Sequence, residues 1–296
     1  MTTAPLLLQI SDPHFGTEVP TAVRALERLA REHSPDVVVF SGDITQRATR
    51  QQFDAARAFA DRLGARDVVA IPGNHDIPLF QLGARLLSPY GRYRRAFGDD
   101  LEPVFESDAW LVIGVNTTRW YRHEDGEVST EQIERVAERL SRARPEQVRL
   151  VVTHQPVLVT RTEDEKNRLH GREDAVARWS AAGADLILGG HIHLPFVRPL
   201  QGAFTPCPRA MWAVQAGTAV STRLRSGQPN SVNILRRASS MGMSRRSCTV
   251  ERWDCAMGDD RFVRADVKEL LLDDAALSPS LLMHSSSIPS FRGTDR

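Results

Sequence analysis

Short apolar runs alternate with segments of helical periodicity through the first two thirds of the chain. Apolar runs at residues 6–10, 37–40 and 68–71 have strand length and carry almost no charge, which is typical of strands buried on both faces. Between them, apolar side chains recur every three or four residues from about residue 21 and again from 50 to 63, which predicts two amphipathic helices. This β-α-β-α-β order predicts an α/β protein.

The alternation continues to about residue 194 and then stops. Further strands are predicted at 109–115, 148–152 and 185–188, with a helical excursion at about 78–100. Across about 205–272, β segments follow one another without helices, which favours an antiparallel second sheet. We expect a single domain over 1–275, with a hairpin loop at 236–246 and a weakly ordered tail at 276–296.

Composition narrows the classes of partner and location. The 296 residues are 41% hydrophobic and 25% charged, as in soluble globular proteins. Since 38 Lys and Arg oppose 37 Asp and Glu, the net charge of +1 argues against nucleic acid or an acidic membrane surface as the main partner. No apolar run is long enough to span a bilayer and no signal peptide is visible, so we expect a cytoplasmic protein.

Polar residues with metal-binding side chains directly follow the predicted strands. They are Asp12 and His14, Asp43, the run Asn74-His75-Asp76, His154, and His191 with His193. Because α/β proteins place ligands at the carboxyl ends of their strands, these side chains are predicted to converge. Residues two apart in an extended segment point the same way, so Asp12 with His14, and His191 with His193, can each offer two ligands.

The three cysteines lack a Cys-x-x-Cys spacing, so a cysteine-ligated zinc is not expected. The mixture of imidazole, carboxylate and amide suits Mn, Fe or Zn better than Ca or Mg. Seven ligands are enough for two metal ions that share one of them.

In this order, the motifs Asp-x-His, Gly-Asp, Gly-Asn-His-Asp, His-x-Pro and Gly-His-x-His resemble the calcineurin-like metallophosphoesterases over roughly residues 5–235. Within that superfamily, the chain is most similar to the bacterial class III cyclic-nucleotide phosphodiesterases. The resemblance implies a four-layer α/β/β/α sandwich with two mixed sheets and a dinuclear centre. It assigns one metal ion to Asp12, His14 and His193, the other to Asn74, His154 and His191, and the bridge to Asp43.

The resemblance also separates His75 from the metal ligands. The matching histidine of the family lies on the leaving-group side, where it can protonate the departing alkoxide, and Asp76 would orient and polarise its imidazole, with a merely structural Asp76 as the alternative. Many members of this branch have two consecutive histidines where this chain has His154-Gln155, which leaves the substrate open. Asn116, Gln155 and His170 are candidate substrate contacts. Alternatively, Asn116 has a purely structural role, and His170 lies at the surface or behind the metal ligands.

The function implied is metal-dependent hydrolysis of a small phosphodiester, with a 3′,5′-cyclic nucleotide as the leading substrate and a nucleoside monophosphate as the product. Two alternatives remain within the superfamily, a phosphomonoesterase and a nuclease. A third, from another class, is a non-catalytic protein-binding scaffold on the same fold.

Overall fold

The computed structural model describes residues 4–122, 124–225, 227–237, 246–256 and 258–273. The first half of the chain forms strands Leu6–Ile10 (β1), Val37–Ser41 (β2), Asp67–Ile71 (β3), Val104–Glu106 (β4) and Trp110–Gly114 (β5). The second half forms Val148–Val152 (β6), Leu186–Gly189 (β7), Phe196–Pro199 (β8), Trp212–Gln215 (β9), Asn230–Arg237 (β10), Arg246–Cys255 (β11) and Val263–Leu272 (β12).

The helices lie at Pro20–His33 (α1), Arg50–Arg62 (α2), Leu82–Leu87 (α3), Gly91–Phe97 (α4), Thr130–Ser141 (α5) and Arg172–Ala182 (α6). Side-chain caps explain where two of them begin. Thr49 and Ser129 each accept a hydrogen bond from the backbone N–H of a glutamine three residues later, and that glutamine reaches back in a capping box.

The strands form two mixed sheets. The first sheet has the order β12-β11-β10-β1-β2-β3, in which β1, β2 and β3 are parallel and β10 to β12 are antiparallel to their neighbours. The second has the order β4-β5-β6-β7-β9-β8, with parallel pairing from β5 to β9 and antiparallel strands at both edges. The carboxyl ends of the parallel strands therefore form the edge from which the polar motifs extend.

Alternation along the strands divides the apolar side chains between layers. In β1, Leu6, Leu8 and Ile10 belong to the core under α1 and α2, whereas Leu7 packs in the core between the two sheets. Helices α5 and α6 cover the outer face of the second sheet with residues such as Ile133 and Trp179. The predicted α/β/β/α sandwich with two mixed sheets is confirmed.

The expectation of an antiparallel second sheet made by the C-terminal segments is wrong. Strand β9 pairs parallel to β7 in the second sheet, and β10 to β12 extend the first sheet from β1. Because no helix is predicted between the C-terminal β segments, the sequence predicts antiparallel pairing between them. It does not indicate which edge of which sheet these strands join. The switch between sheets occurs after β9, and this crossing returns the chain to the polar edge.

The predicted helical excursion corresponds to α3 and α4, and the buried Tyr93 of α4 donates a hydrogen bond of 2.6 Å to the carbonyl of Ala70. Strands β10 and β11 pair antiparallel on either side of the hairpin loop predicted at 236–246, but residues 238–245 lie outside the described residues, as does the predicted tail. Within the described part of the chain, no helix is long and apolar enough to cross a membrane.

Candidate metal centre

The loops after five strands bring the seven predicted metal ligands to one edge of the sandwich. Asp12 and His14 follow β1, Asp43 follows β2, and Asn74 begins a 3-10 turn, Asn74–Asp76, after β3. His154 follows β6, and His191 and His193 follow β7. The first four come from one sheet and the last three from the other, so the candidate centre joins the two sheets.

One group of donors comprises Asp12, His14 and His193. The Nε2 atoms of His14 and His193 lie 3.1 Å apart, and Nε2 of His193 lies 3.2 Å from Oδ1 of Asp12. Nε2 of His14 lies 3.8 Å from Oδ1 of Asp12 and the same distance from Oδ2 of Asp43. Asp12 and His14 are fully buried, and His193 is 11% exposed, so the group opens to solvent on the side of His193.

A second group is built around His154. Its Nε2 lies 3.3 Å from Oδ1 of Asp43 and 3.2 Å from Oδ1 of Asn74. Ligand atoms of Asp43, His154 and His191 all lie within 4.8 Å of one another. Asp43 thus directs one carboxylate oxygen toward each group, which is the placement a bridging ligand needs.

The donors fit transition-metal ions. Ligands bound to one ion at about 2.0–2.2 Å lie roughly 3.0–3.6 Å apart, close to the separations of 3.1–3.8 Å between these donors. The buried Nδ1 atoms of His14 and His191 have no hydrogen-bond partner among the described residues. The nitrogen and oxygen lone pairs of these side chains face one another, and there are too few protons to form hydrogen bonds between all of them. This arrangement favours a cation between the donors.

Main-chain carbonyls orient two of the imidazoles. Nδ1 of His154 lies 2.9 Å from the carbonyl of Ser41, and Nδ1 of His193 lies 2.6 Å from the carbonyl of Arg223. Since a carbonyl can only accept, each Nδ1 carries the proton and each Nε2 is directed into the cluster of donors. Hydrogen bonds of this kind fix the tautomer of metal-binding histidines.

The loops do not direct their ligands in the way the sequence suggested. Asp12, His14, Asp43, His191 and His193 have positive φ angles of 49°, 44°, 50°, 72° and 53°. Their side chains converge because the backbone is left-handed at these residues, not because an extended segment alternates. Such conformations cost about 1–3 kcal/mol each in non-glycine residues and concentrate at functional sites.

Two glycines of the motifs allow close approach. A Cβ on Gly42, which has φ +96°, would lie 2.3 Å from Nδ1 of His154. A Cβ on Gly73 would lie 2.1 Å from the backbone nitrogen of Asp43 and 2.2 Å from its Oδ1. The loops after β2 and β3 can therefore pack together around the Asp43 carboxylate only without side chains at these positions.

Burial and neighbouring charges shift the pKa values of the cluster in opposite directions. Burial lowers the pKa of His14 to about 3 and that of His191 to about 4, which keeps both imidazoles neutral. Burial also disfavours a charged His154, but Asp43 outweighs it and raises the pKa of His154 to about 9. The histidines in turn hold the pKa of Asp43 well below its usual range despite its burial.

His75 lies beside the donors, but both of its ring nitrogens have other partners. Nδ1 is 3.0 Å from the carbonyl of Gln46, and Nε2 is 2.9 Å from Nη1 of Arg223. Its ring is edge-on to His14, with centroids 4.9 Å apart, and ligand atoms of His14, Asp43 and His75 fall within 4.8 Å of one another. Its hydrogen bonds therefore distinguish His75 from the other histidines of the cluster.

The carboxylate of Asp76 does not contact the His75 ring among the hydrogen bonds of the described residues, contrary to the expected orienting role. It accepts from the backbone N–H of Ile44 (3.0 Å), Thr45 (2.8 Å) and Gly73 (2.9 Å), and from the Thr45 hydroxyl (2.8 Å). Burial and the nearby Asp43 raise the pKa of Asp76 to about 6 against these donors. Asp76 thus joins the loops after β2 and β3, and Gln46 and Arg223 orient His75.

The three candidate substrate contacts lie outside the lining of the cavity beside the cluster. Asn116 is buried and its Oδ1 accepts from the backbone and hydroxyl of Thr118, so its side chain stabilises a turn. Gln155 is fully buried between the Thr117 hydroxyl and the Glu124 carbonyl. The side chain of His170 is 51% exposed and lies 3.7 Å from Asp125. Gln155 therefore contacts the cavity lining through the carbonyl of Glu124.

This cavity has a volume of about 430 Å³ and includes Asp43, Asn74, His75, His191 and His193 in its wall. Arg223 and Arg225 complete part of the wall and were not predicted from the sequence. They lie in the connection between β9 and β10, outside any motif, and their position depends on the return of the chain from the second sheet to the first.

Comparisons with known proteins identify the family. A family model described as calcineurin-like phosphoesterase matches residues 6–195. A probable cyclic nucleotide phosphodiesterase of Synechococcus sp. is 27% identical over 202 residues, which cover 65% of this chain and 74% of that protein.

Among solved structures, the protein TT1561 of Thermus thermophilus is 14% identical with a TM-score of 0.48, and the match covers 79% of this chain and 95% of that one. A phosphatase of Mycoplasma pneumoniae is 13% identical with a TM-score of 0.41, and the match covers 95% of this chain and 97% of that one. The family match spans well over half of the sequence and contains every loop that supplies the cluster. The chain belongs to the calcineurin-like phosphoesterase family.

Proposed function

We propose that the protein hydrolyses a small phosphodiester at a dinuclear metal centre, with a 3′,5′-cyclic nucleotide as substrate. The observation that carries the proposal is the position of Asp43, whose two carboxylate oxygens face two separate groups of donors. Asp12, His14 and His193 would hold one ion, and Asn74, His154 and His191 the other. Bound there, such ions supply Lewis-acid charge that neutralises phosphoryl oxygens and activates water.

The residues of the chain supply positioning and proton transfer. The neutral amide of Asn74 and the neutral imidazoles of His14 and His191 add no negative charge, so an anionic phosphodiester is repelled less than it would be by further carboxylates. His75 is one of the residues that line the cavity beside the cluster. From there its Nε2 can donate a proton to the leaving oxygen once that nitrogen is protonated.

The size of the cavity and the likeness to a known protein support the proposed substrate class. The cavity of about 430 Å³ falls within the range of small-molecule sites, about 300–1,000 Å³. The Synechococcus relative is described as a probable cyclic nucleotide phosphodiesterase, and the segment matched by the family model includes the whole cluster. Manganese, iron and zinc all suit the donor set.

The test is hydrolysis by protein reconstituted with Mn²⁺. Cyclic AMP, cyclic GMP and bis(p-nitrophenyl) phosphate serve as diesters, p-nitrophenyl phosphate as a monoester, and single-stranded DNA as a polymer. We expect turnover of the diesters, with the cyclic nucleotides preferred. A lack of diester hydrolysis by metal-loaded protein would overturn the proposal, and preferential cleavage of the monoester or of DNA would favour the phosphomonoesterase or the nuclease.

His75→Ala separates an enzyme from a scaffold. Because both ring nitrogens of His75 have hydrogen-bond partners outside the donor groups, the variant should keep its metal content. Loss of a general acid should lower kcat by about 10²–10⁴-fold. Wild-type turnover in the variant would contradict the assigned role, and a protein that binds metal without turnover in either form would support the scaffold.

A further inference from the structure

The side chain of Arg223 lies in the cavity without an acidic partner among the described residues. Its Nη1 is 2.9 Å from Nε2 of His75 and 3.1 Å from Oε1 of Gln46. Both partners are neutral acceptors, because a guanidinium can only donate and Nε2 must therefore carry a lone pair. Arg223 is thus hydrogen-bonded to neutral groups, with no ion pair among the described residues.

Arg225, two residues later in the same cavity wall, differs from Arg223 because its guanidinium pairs with carboxylates. Its Nη1 lies 2.8 Å from Oδ1 of Asp164, and its Nη2 lies 2.5 Å from Oε1 of Glu163. It also donates to the carbonyl of Ile192, between two histidines of the cluster. The charge of Arg225 is therefore neutralised by carboxylates and stabilises the loop. Of the two arginines described in this wall, Arg223 is the one available to an anionic ligand.

The backbone of Arg223 fixes the distance of its side chain from the cluster. Its carbonyl accepts the hydrogen bond of 2.6 Å from Nδ1 of His193. One residue consequently orients a metal-binding imidazole through its main chain and contacts His75 through its side chain. A phosphoryl group placed between His193 and His75 would lie within reach of the guanidinium.

We propose that Arg223 is a catalytic residue that binds a non-bridging phosphoryl oxygen of the substrate. The proposal rests on the phosphodiester hydrolysis proposed above. A charged phosphoryl oxygen is a stronger acceptor for guanidinium than a neutral imidazole, so the N–H of Nη1 moves from Nε2 of His75 to the oxygen.

Inorganic phosphate is the probe that tests Arg223 independently of turnover. Its affinity for Mn²⁺-loaded protein is measured by isothermal titration calorimetry in the wild type and in Arg223→Gln, Arg223→Lys and Arg47→Gln. We expect Arg223→Gln to weaken phosphate binding by about 10–100-fold, the loss of one hydrogen bond to a charged group. Arg223→Lys should recover part of the affinity, because lysine keeps the charge but not the planar fork.

Arg47→Gln is the control for net charge, because its exposed guanidinium lies over the Phe80 ring, 5.1 Å from the centroid, outside the cavity lining. It should change phosphate affinity by less than about twofold. Metal content, measured in parallel, should stay at the wild-type value in every variant, since the carbonyl of Arg223 is retained. Three results would overturn the proposal. Arg223→Gln could bind phosphate as tightly as the wild type, Arg47→Gln could lose as much phosphate affinity as Arg223→Gln, or the wild type could bind no phosphate.

Turnover distinguishes the two proposals. In one outcome the wild type hydrolyses no diester while Arg223→Gln binds phosphate more weakly than the wild type. In that case the assignment of the anion contact to Arg223 stands and the proposed reaction fails. If diesters are hydrolysed and Arg223→Gln leaves both kcat/KM and phosphate affinity unchanged, the reaction stands and the role of Arg223 is refuted.

Discussion

Nε2 of His14 and Nε2 of His193 lie 3.1 Å apart, although 179 positions separate the two residues in the chain. His14 follows β1 of the first sheet, and His193 follows β7 of the second. Two imidazole nitrogens at this distance need a shared proton or a shared cation. The fully buried Asp12 and the buried Asp43 beside them favour the cation.

Removing His193 should therefore remove metal. His193→Ala deletes the Nε2 that lies 3.2 Å from Asp12 and 3.1 Å from His14, so the first group keeps too few donors for tight binding. We expect metal content after dialysis, measured by inductively coupled plasma mass spectrometry, to fall by about one ion per chain. His170→Ala, at a histidine that is 51% exposed, is the control and should bind as much metal as the wild type. Equal metal content in both variants would refute the site.

Metal binding should release protons at neutral pH. In metal-free protein the pKa of His154 is about 9, because Asp43 outweighs the effect of burial, so the imidazole is protonated at pH 7. A metal ion needs the neutral ring, and each binding event must expel that proton. Metal affinity should consequently rise as the pH is raised toward the pKa of His154 and fall as the pH is lowered.

The number of protons is measured by calorimetry in two buffers of different ionisation enthalpy at neutral pH. We expect at least one proton released per chain, because Asp12 also raises the pKa of His193 despite its burial, and His154→Ala should reduce that number along with the loss of the second ion. A binding enthalpy that does not depend on the buffer would show that His154 is neutral before the metal binds.

Asp76→Asn should destabilise the fold more than a surface carboxylate would. The Asp76 carboxylate accepts four hydrogen bonds from the loops after β2 and β3, and the amide of asparagine would place a donor against N–H groups. The free energy of unfolding in urea should fall by about 2–3 kcal/mol. Asp61→Asn, which breaks an exposed pair with Arg57, should change it by less than about 0.5 kcal/mol. An equally small effect at both positions would contradict the structural role of Asp76.

The sequence predicts where the cluster forms better than how its side chains are oriented. Strand ends that carry Asp12, Asp43 and His154 can be placed together because parallel strands share their carboxyl edge. The left-handed backbone at Asp12 and Asp43 depends on hydrogen bonds between loops, such as that from the Asp12 N–H to the Gly42 carbonyl at 3.1 Å. Local sequence does not contain those partners.

Roles that depend on distant contacts could not be predicted. Asn116 has the right chemistry for a ligand, but Thr118, two residues later, takes up its Oδ1. Arg223 lies in no motif and reaches His75 only because β9 and β10 belong to different sheets. Asp76 follows His75 directly, yet its carboxylate is turned to the loop after β2.

Gly73→Ala should disrupt the centre through a steric contact alone. Gly73 has φ −99° and ψ 179°, a conformation that alanine adopts freely, so the substitution causes no backbone strain of its own. The added Cβ would lie 2.1 Å from the backbone nitrogen of Asp43 and 2.2 Å from its Oδ1, and neither loop can move without shifting that carboxylate. We expect the free energy of unfolding to fall by about 3 kcal/mol or more, with a loss of bound metal.

Gly83→Ala provides the matched control, because a Cβ at Gly83 meets no atom within 4 Å. In helix α3 that change should be neutral or stabilising by up to about 1 kcal/mol, with metal content unchanged. Urea denaturation and metal analysis of the two alanine variants separate the effects. If Gly73→Ala kept both its stability and its metal, the close packing of the loops after β2 and β3 would not be what positions Asp43 between the two groups of donors.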